Sequence, residues 1–190
     1  MGLASLFTIF VFMQTQVSHE VLRILAYAKE EAMRTGDYSI SPDHILLGIL
    51  RHADNDACRT LAALGVDLDE MKNCVEGSIF RPKHIAYSEG DDRLVFSRSA
   101  QNTLNLCIVE ATIASSDSII ATHLLLAISS SSGSASLKYL KSLGIDHSSI
   151  SAYAKKAGLL CAKKVDVNEA GQNHPVSILK IISSPDRIAS

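Results

Sequence analysis

Two histidines stand out as groups able to do chemistry. His44 lies in Ser41-Pro42-Asp43-His44-Ile45-Leu46-Leu47-Gly48-Ile49-Leu50, and His123 lies in Ala121-Thr122-His123-Leu124-Leu125-Leu126-Ala127-Ile128. A histidine beside a carboxylate is suited to acid–base work or metal binding. Asp43 supplies that carboxylate in the first stretch only. No Ser or Cys nucleophile shares a recognisable motif with either histidine, so a catalytic reading finds no partner. His19-Glu20 is not followed by a second His at the zincin distance. The seven His and four Cys show no metal-ligand spacing. No Gly is followed by Lys, which excludes a phosphate-binding loop of the GxxxxGK[ST] kind. The expectation is a chain with no catalytic residues, no metal and no cofactor. Each histidine then reads as a core residue with satisfied ring nitrogens.

The elements that position these residues follow from periodicity. Ser41 can cap a helix, Pro42 suits its first position, and Asp43 adds negative charge to its first turn. The two histidines are 79 residues apart, and the same shift aligns much more. Leu25 falls on Leu104, Glu31-Ala32 on Glu110-Ala111, and Leu61 on Leu140. Leu64-Gly65-Val66-Asp67 falls on Leu143-Gly144-Ile145-Asp146. No gap is needed between 17–76 and 96–155, which points to a duplication.

Each repeat reads as four helices. Val17, Val21, Leu25, Ala28 and Ala32 recur at helical spacing, and Gly36 stops that helix. Ser41 to Ala53 is short and nearly all apolar, as in a helix buried on most sides. Asp54 or Asn55 caps a third helix and Asp67 a fourth. The second repeat follows with Ser97 to Ser115, Ala121 to Ser130, Ser132 or Ser134 to Leu143, and Asp146 to Ala157. No alternating polar–apolar run competes, so the fold class is all-α: a tandem duplication of a four-helix repeat with pseudo-two-fold symmetry. The organisation is an extension over 1–16, a repeat over 17–79, a connector over 80–95, a repeat over 96–157 and a tail over 158–190. The tail's apolar stretch, Val176 to Ile182, is bracketed by Pro175 and Pro185. It is expected to form a short strand or helix, loosely attached or disordered.

Composition narrows the function classes. A net charge of −2 argues against a nucleic-acid partner. Cys58, Cys74, Cys107 and Cys161 form no CxxC pair and read as thiols of a reducing, cytoplasmic setting. The first 16 residues carry no charge, and Leu3 to Met13 is mostly apolar. A signal peptide or anchor is one reading of that run. Against it, no Lys or Arg precedes the run and no small-x-small cleavage site follows. The run is also short for a bilayer, so a membrane partner is not expected. The surfaces of the repeats differ. Residues 17–76 hold 11 acidic and 6 basic side chains, whereas 96–155 hold 3 and 4.

These motifs resemble the Clp N-terminal repeat domain, the double four-helix module at the front of ClpA- and ClpC-type ATPases. The residues that carry the resemblance are Glu30-Glu31-Ala32, Ser41 to Leu50, and Leu61-Ala62-Ala63-Leu64-Gly65-Val66-Asp67. They match an EEA-like turn, a G-T-E-H-[IL]-L-L-G-[IL]-L helix and an L-x-x-L-G-V-D turn. The resemblance covers about Val17 to Ala157. It implies a non-catalytic module that docks adaptor or substrate proteins for an ATP-dependent unfoldase and protease. A structural accessory subunit on the Clp peptidase ring or motor is the alternative. In ClpC-type members the threonine and glutamate of the G-T-E-H turn help hold phosphorylated arginine. The matching positions make Pro42, Asp43, Ala121 and Thr122 the candidate substrate-binding residues. This sequence departs there: Pro42 has no hydroxyl, Asp43 has a shorter arm than glutamate, and Ile120-Ala121-Thr122 keeps no carboxylate.

Overall fold

The computed structural model describes residues 16–80, 94–161 and 178–183. The readings of 1–15 and of most of the connector and tail lie outside them. The first repeat holds β1 (Gln16–Val17), α1 (His19–Thr35), β2 (Ser39–Ile40), α2 (Pro42–His52), α3 (Asp56–Ala63) and α4 (Leu68–Ile79). The second holds β3 (Val95–Phe96), α5 (Arg98–Ile113), β4 (Ser118–Ile119), α6 (Ala121–Ile128), α7 (Ala135–Ser142) and α8 (His147–Lys156). A further helix, α9 (Ile178–Ser183), follows. The architecture is all-α.

The helix starts are capped, and the first lies later than its spacing suggests, since Val17 belongs to β1 and Ser18 caps α1. Ser18, Asn55, Asp67, Ser97, Ser134 and Asp146 each accept a backbone N–H of the first turn. Between the alternatives left by the sequence, Asn55 and Ser134 are the caps. Asn55 also donates from Nδ2 to the Ile49 carbonyl at 2.9 Å, closing the end of α2 against the start of α3.

The apolar helices α2 and α6 sit at the centre. Ile45, Leu46 and Ile49 of α2 and Leu124, Leu125 and Ile128 of α6 are fully buried. Each such side chain contributes about 2 kcal/mol of burial. One continuous apolar cluster runs through both repeats. The repeats therefore form a joint core.

Two features were not expected from the sequence. The short strands pair crosswise and in parallel, β1 with β4 and β2 with β3, so each pair takes one strand from each repeat. Ser18 N–H donates to the Ile119 carbonyl, and Ser97 N–H donates to the Ile40 carbonyl, which are equivalent bonds under the pseudo-two-fold. Runs of two residues are too short to show alternation, so pattern reading misses them. The tail differs as well. Ile178 and Ile181 of α9 are 1% exposed and pack against α5, so this part of the tail is a docked helix. Its apolar residues at i and i+3 give it a face to bury, and that outweighs the bracketing prolines.

Candidate functional site: the helix starts between the repeats

The polar start of α2 is a closed hydrogen-bond system. Ser41 Oγ accepts the His44 N–H, and His44 Nδ1 accepts the Ser41 N–H at 3.0 Å. A backbone N–H can only donate, so Nδ1 is unprotonated and Nε2 carries the hydrogen. Nε2 donates to Thr35 Oγ1 at 2.9 Å, and the Thr35 hydroxyl donates to the Glu31 carbonyl at 2.9 Å. Burial lowers the His44 pKa, while the carboxylates of Asp37 and Asp43 oppose that shift. His44 is thus a neutral capping-box residue.

His123 does the same work with a different partner. Its Nδ1 accepts the Ile120 N–H at 3.2 Å, and its Nε2 donates to the Leu160 carbonyl at 3.0 Å. The position matching Thr35 is Ala114, which has no hydroxyl. The chain beyond α8 supplies the acceptor instead. Burial pushes the His123 pKa down to about 4, against the favourable Leu160 carbonyl. Leu160 could not have been found from sequence, since its contribution is a backbone carbonyl from 37 residues away.

Asp43 reaches across to the other repeat. Its carboxylate accepts the Ala135 N–H at 3.1 Å, the Ser136 N–H at 2.8 Å and the Ser136 hydroxyl. Ser134 Oγ accepts the Leu137 N–H at 3.1 Å. The first three N–H groups of α7 are therefore all satisfied, two of them by an acid from the facing repeat. Negative charge there also suits the helix dipole. Asp43 is 7% exposed, and Pro42 beside it is buried.

The matching corner of the second repeat is built differently. Ala121 and Thr122 are buried, and among the described residues Thr122 Oγ1 has no hydrogen-bond partner. The carboxylate of Glu20 faces the Ala121 N–H. Partial burial raises the Glu20 pKa, and that N–H counters it. Pro42, the equivalent of Ala121, has no N–H to satisfy, so the first repeat needs no such acid. The structure thus places all four candidate residues at paired helix starts. It brings Asp43 together with Ser136, a pairing that sequence reading missed because it joins residues 93 apart.

Beside these helix starts lie two clefts. One, of about 370 Å³, is lined by Asp43, Cys74, Ile79, Ala135, Lys138 and Tyr139. The other, of about 500 Å³, is lined by Ser18, Glu20, Asp56, Arg59, Ser118 and Ile120. Ala135 and Lys138 correspond to Asp56 and Arg59 under the shift of 79, so the clefts share two walls by symmetry. Arg59 pairs with Asp54 and Asp56. Among the described residues, no cluster of three or more His, Cys, Asp or Glu is placed to hold a metal ion.

The sequence pattern of the Clp repeat (R) N-terminal domain matches residues 16–152, which is more than half of the chain. The chain belongs to that family. This Clp repeat domain is 28% identical over 123 residues to the negative regulator of genetic competence ClpC/MecB of Bacillus subtilis, covering 65% of this chain and 15% of that protein. It is 28% identical over 149 residues to the chloroplastic chaperone protein ClpC1 of Arabidopsis thaliana, covering 78% of this chain and 16% of the relative. The chain therefore spans less than a fifth of the length of these relatives. Its fold matches the crystal structure of the Hsp104 N-terminal domain from Candida albicans. That match has a TM-score of 0.62 at 14% identity and covers 76% of this chain and 93% of the other. The Clp repeat domain is helical and is the N-terminal, non-catalytic region of Clp ATPases.

Proposed function

We propose that this Clp repeat domain is a recognition module that binds adaptor or substrate proteins for an ATP-dependent Clp unfoldase and protease. The observation that carries the reading is the pair of clefts between the repeats, each opening beside an apolar helix start and each bearing a basic side chain, Lys138 or Arg59. Two open sites on one rigid core suit bivalent capture of an extended chain. Pro42, Asp43, Ala121 and Thr122 are buried, and of the four only Asp43 lines a cleft, so recognition falls to the exposed groups around the clefts. The phosphoarginine reading carries least weight here, because Asp43, the carboxylate among the four candidate residues, is already engaged by Ala135 and Ser136. The proposed setting is the cytoplasm, in keeping with four free thiols.

Affinity capture with the full chain tests this. Clp adaptors or substrates should be retained, and Lys138→Glu together with Arg59→Glu should lose them while the fold is unchanged by circular dichroism. Retention of peptidase or motor subunits alone, indifferent to both substitutions, would establish the accessory-subunit alternative instead.

A further inference from the structure

Helix α1 carries a buried carboxylate that α5 keeps, together with arginine partners that the second repeat has lost. Glu31 holds two guanidinium groups, at 2.6 Å from Arg34 Nη2 and 3.2 Å from Arg51 Nη1. Arg34 also reaches Glu76 of α4 at 2.7 Å, so one guanidinium joins α1 to α4. Under the shift of 79, Glu31 becomes Glu110 of α5, Arg34 becomes Ile113, Arg51 becomes Ser130, and Glu76 becomes Lys155 of α8. The carboxylate stays and both arginines are gone. The Glu110 side chain is 15% exposed, and its ion-pair partner among the described residues is His147 Nε2 at 2.9 Å. Where Arg34 bridges α1 and α4, the second repeat has a cavity of about 330 Å³ between α5 and α8. It is lined by Glu110, Ile113, Leu126, Lys155 and Leu160. Ile113 is 74% exposed and does not fill it. That volume falls at the lower end of small-ligand pockets, which run from about 300 to 1,000 Å³.

The lining defines the chemistry of what fits. Glu110 offers a carboxylate to a guanidinium, as Glu31 does to Arg34. Leu126 and Leu160 offer apolar surface to an aliphatic stem. Lys155 reverses the sign of Glu76, and among the described residues no ion pair joins it to Glu110. One acid and one base facing the same cavity ask for a ligand with one charge of each sign. A guanidinium and a free carboxylate on one residue meet that demand. The surface outside adds a direction. Ile113 starts an apolar stripe that Val109 and Leu106 continue along α5, and a groove of about 480 Å³ lies beside them, edged by Leu179 of α9. We infer that the cavity between α5 and α8 takes the C-terminal arginine of a partner polypeptide. Its guanidinium meets Glu110, its carboxylate meets Lys155, and the apolar residues before it lie over Ile113, Val109 and Leu106. The first repeat fills the equivalent place with its own Arg34, and the second leaves it to an arginine from outside. Glu110, Ile113 and Lys155 line neither of the two clefts, so this site is separate from the recognition role proposed for them.

Fluorescence anisotropy with the full chain tests it. The probe is a short peptide labelled at its amino end and finishing in Leu-Ala-Leu-Arg with a free carboxylate. It is compared with the same peptide as a C-terminal amide, and with one ending in citrulline, which keeps the shape of arginine without its charge. Each change should weaken binding by about tenfold or more, the effect of one charge-assisted hydrogen bond. Glu110→Gln should erase the preference for arginine over citrulline and keep the preference for the free carboxylate, and Lys155→Met should do the reverse. Ile113→Arg restores the side chain of the first repeat at an exposed position and should abolish binding of all three peptides. No binding, equal binding of the three, or preferences that Glu110→Gln and Lys155→Met leave unchanged would each overturn the inference. Binding removed by Lys138→Glu with Arg59→Glu but untouched by Ile113→Arg would place the peptide in the clefts. That result overturns the inference while supporting the recognition role.

Discussion

The two repeats keep the same apolar frame and finish its polar edges in different ways. In the first, His44 donates a hydrogen bond to Thr35, Asp43 caps the facing α7, and Arg51 and Arg34 close the outer face with ion pairs. In the second, His123 relies on Leu160, Thr122 Oγ1 has no partner among the described residues, and Leu106, Val109 and Ile113 leave the outer face apolar. A core contact must fit its neighbours in shape, so both copies retain it. A polar group needs only some partner, and a remote carbonyl or an acid from the other repeat will serve. Duplication therefore conserves packing and lets the hydrogen-bond partners drift.

The sharpest test of this contrast is at Gly48. A Cβ there would lie 2.4 Å from the Ile24 carbonyl oxygen on α1, whereas Ala127 holds the matching position in α6. Gly48→Ala should cost about 3 kcal/mol in urea denaturation, because backbone cannot yield to the added methyl. Ala127→Gly should cost only about 1 kcal/mol, through chain entropy and a lost contact. Equal costs would mean that α1–α2 and α5–α6 pack alike.

Acid separates the two histidines. Both are held neutral by burial, and the unfolded chain binds their protons first. Stability is therefore fully present above pH 6.5 and falls as pH drops below it. For His123 the fall continues to about pH 4. That one group accounts for a loss of about 3 kcal/mol across the interval. Denaturation midpoints between pH 7.5 and 4 should show this slope, and His123→Gln should flatten it more than His44→Gln. The first repeat's histidine is the less sensitive because Asp37 and Asp43 favour its charged form.

Asp43→Ala strands two N–H groups at the start of α7 and should cost about 2 kcal/mol. Thr122→Val, at the matching position, removes a buried hydroxyl without a partner and should be neutral or stabilising by up to about 1 kcal/mol. A cost at Thr122 equal to that at Asp43 would show a hidden partner there and break the contrast. The smallest effect is expected at Ser115, which has φ 53° where the first repeat has Gly36 at φ 78°. Ser115→Gly should raise stability by about 0.5–1 kcal/mol, since glycine enters this left-handed region without a Cβ clash. Gly36→Ser should lower it by a similar amount.

Much of this was legible in the sequence because it is local. Helix caps at Ser41 and Asp67, the buried character of 41–50 and the duplication all depend on spacing within a few residues or on a fixed shift. The histidines could be read as core residues for the same reason. Less of the candidate site was legible. Asp43, a candidate substrate-binding residue in the sequence, is a buried cap on another helix, and nothing near Asp43 names Ser136 as its partner.

By itself, then, the sequence determined the helices, their caps, the doubling and the family, since each rests on short-range periodicity or on matched motifs. Only the tertiary structure decided how the copies meet. The crossed strand pairs, the acid of one repeat capping a helix of the other, and the docking of α9 on α5 join residues that are distant in the chain. Such contacts are set by which surfaces remain unsatisfied once each helix has formed. That depends on the packing of all of them together.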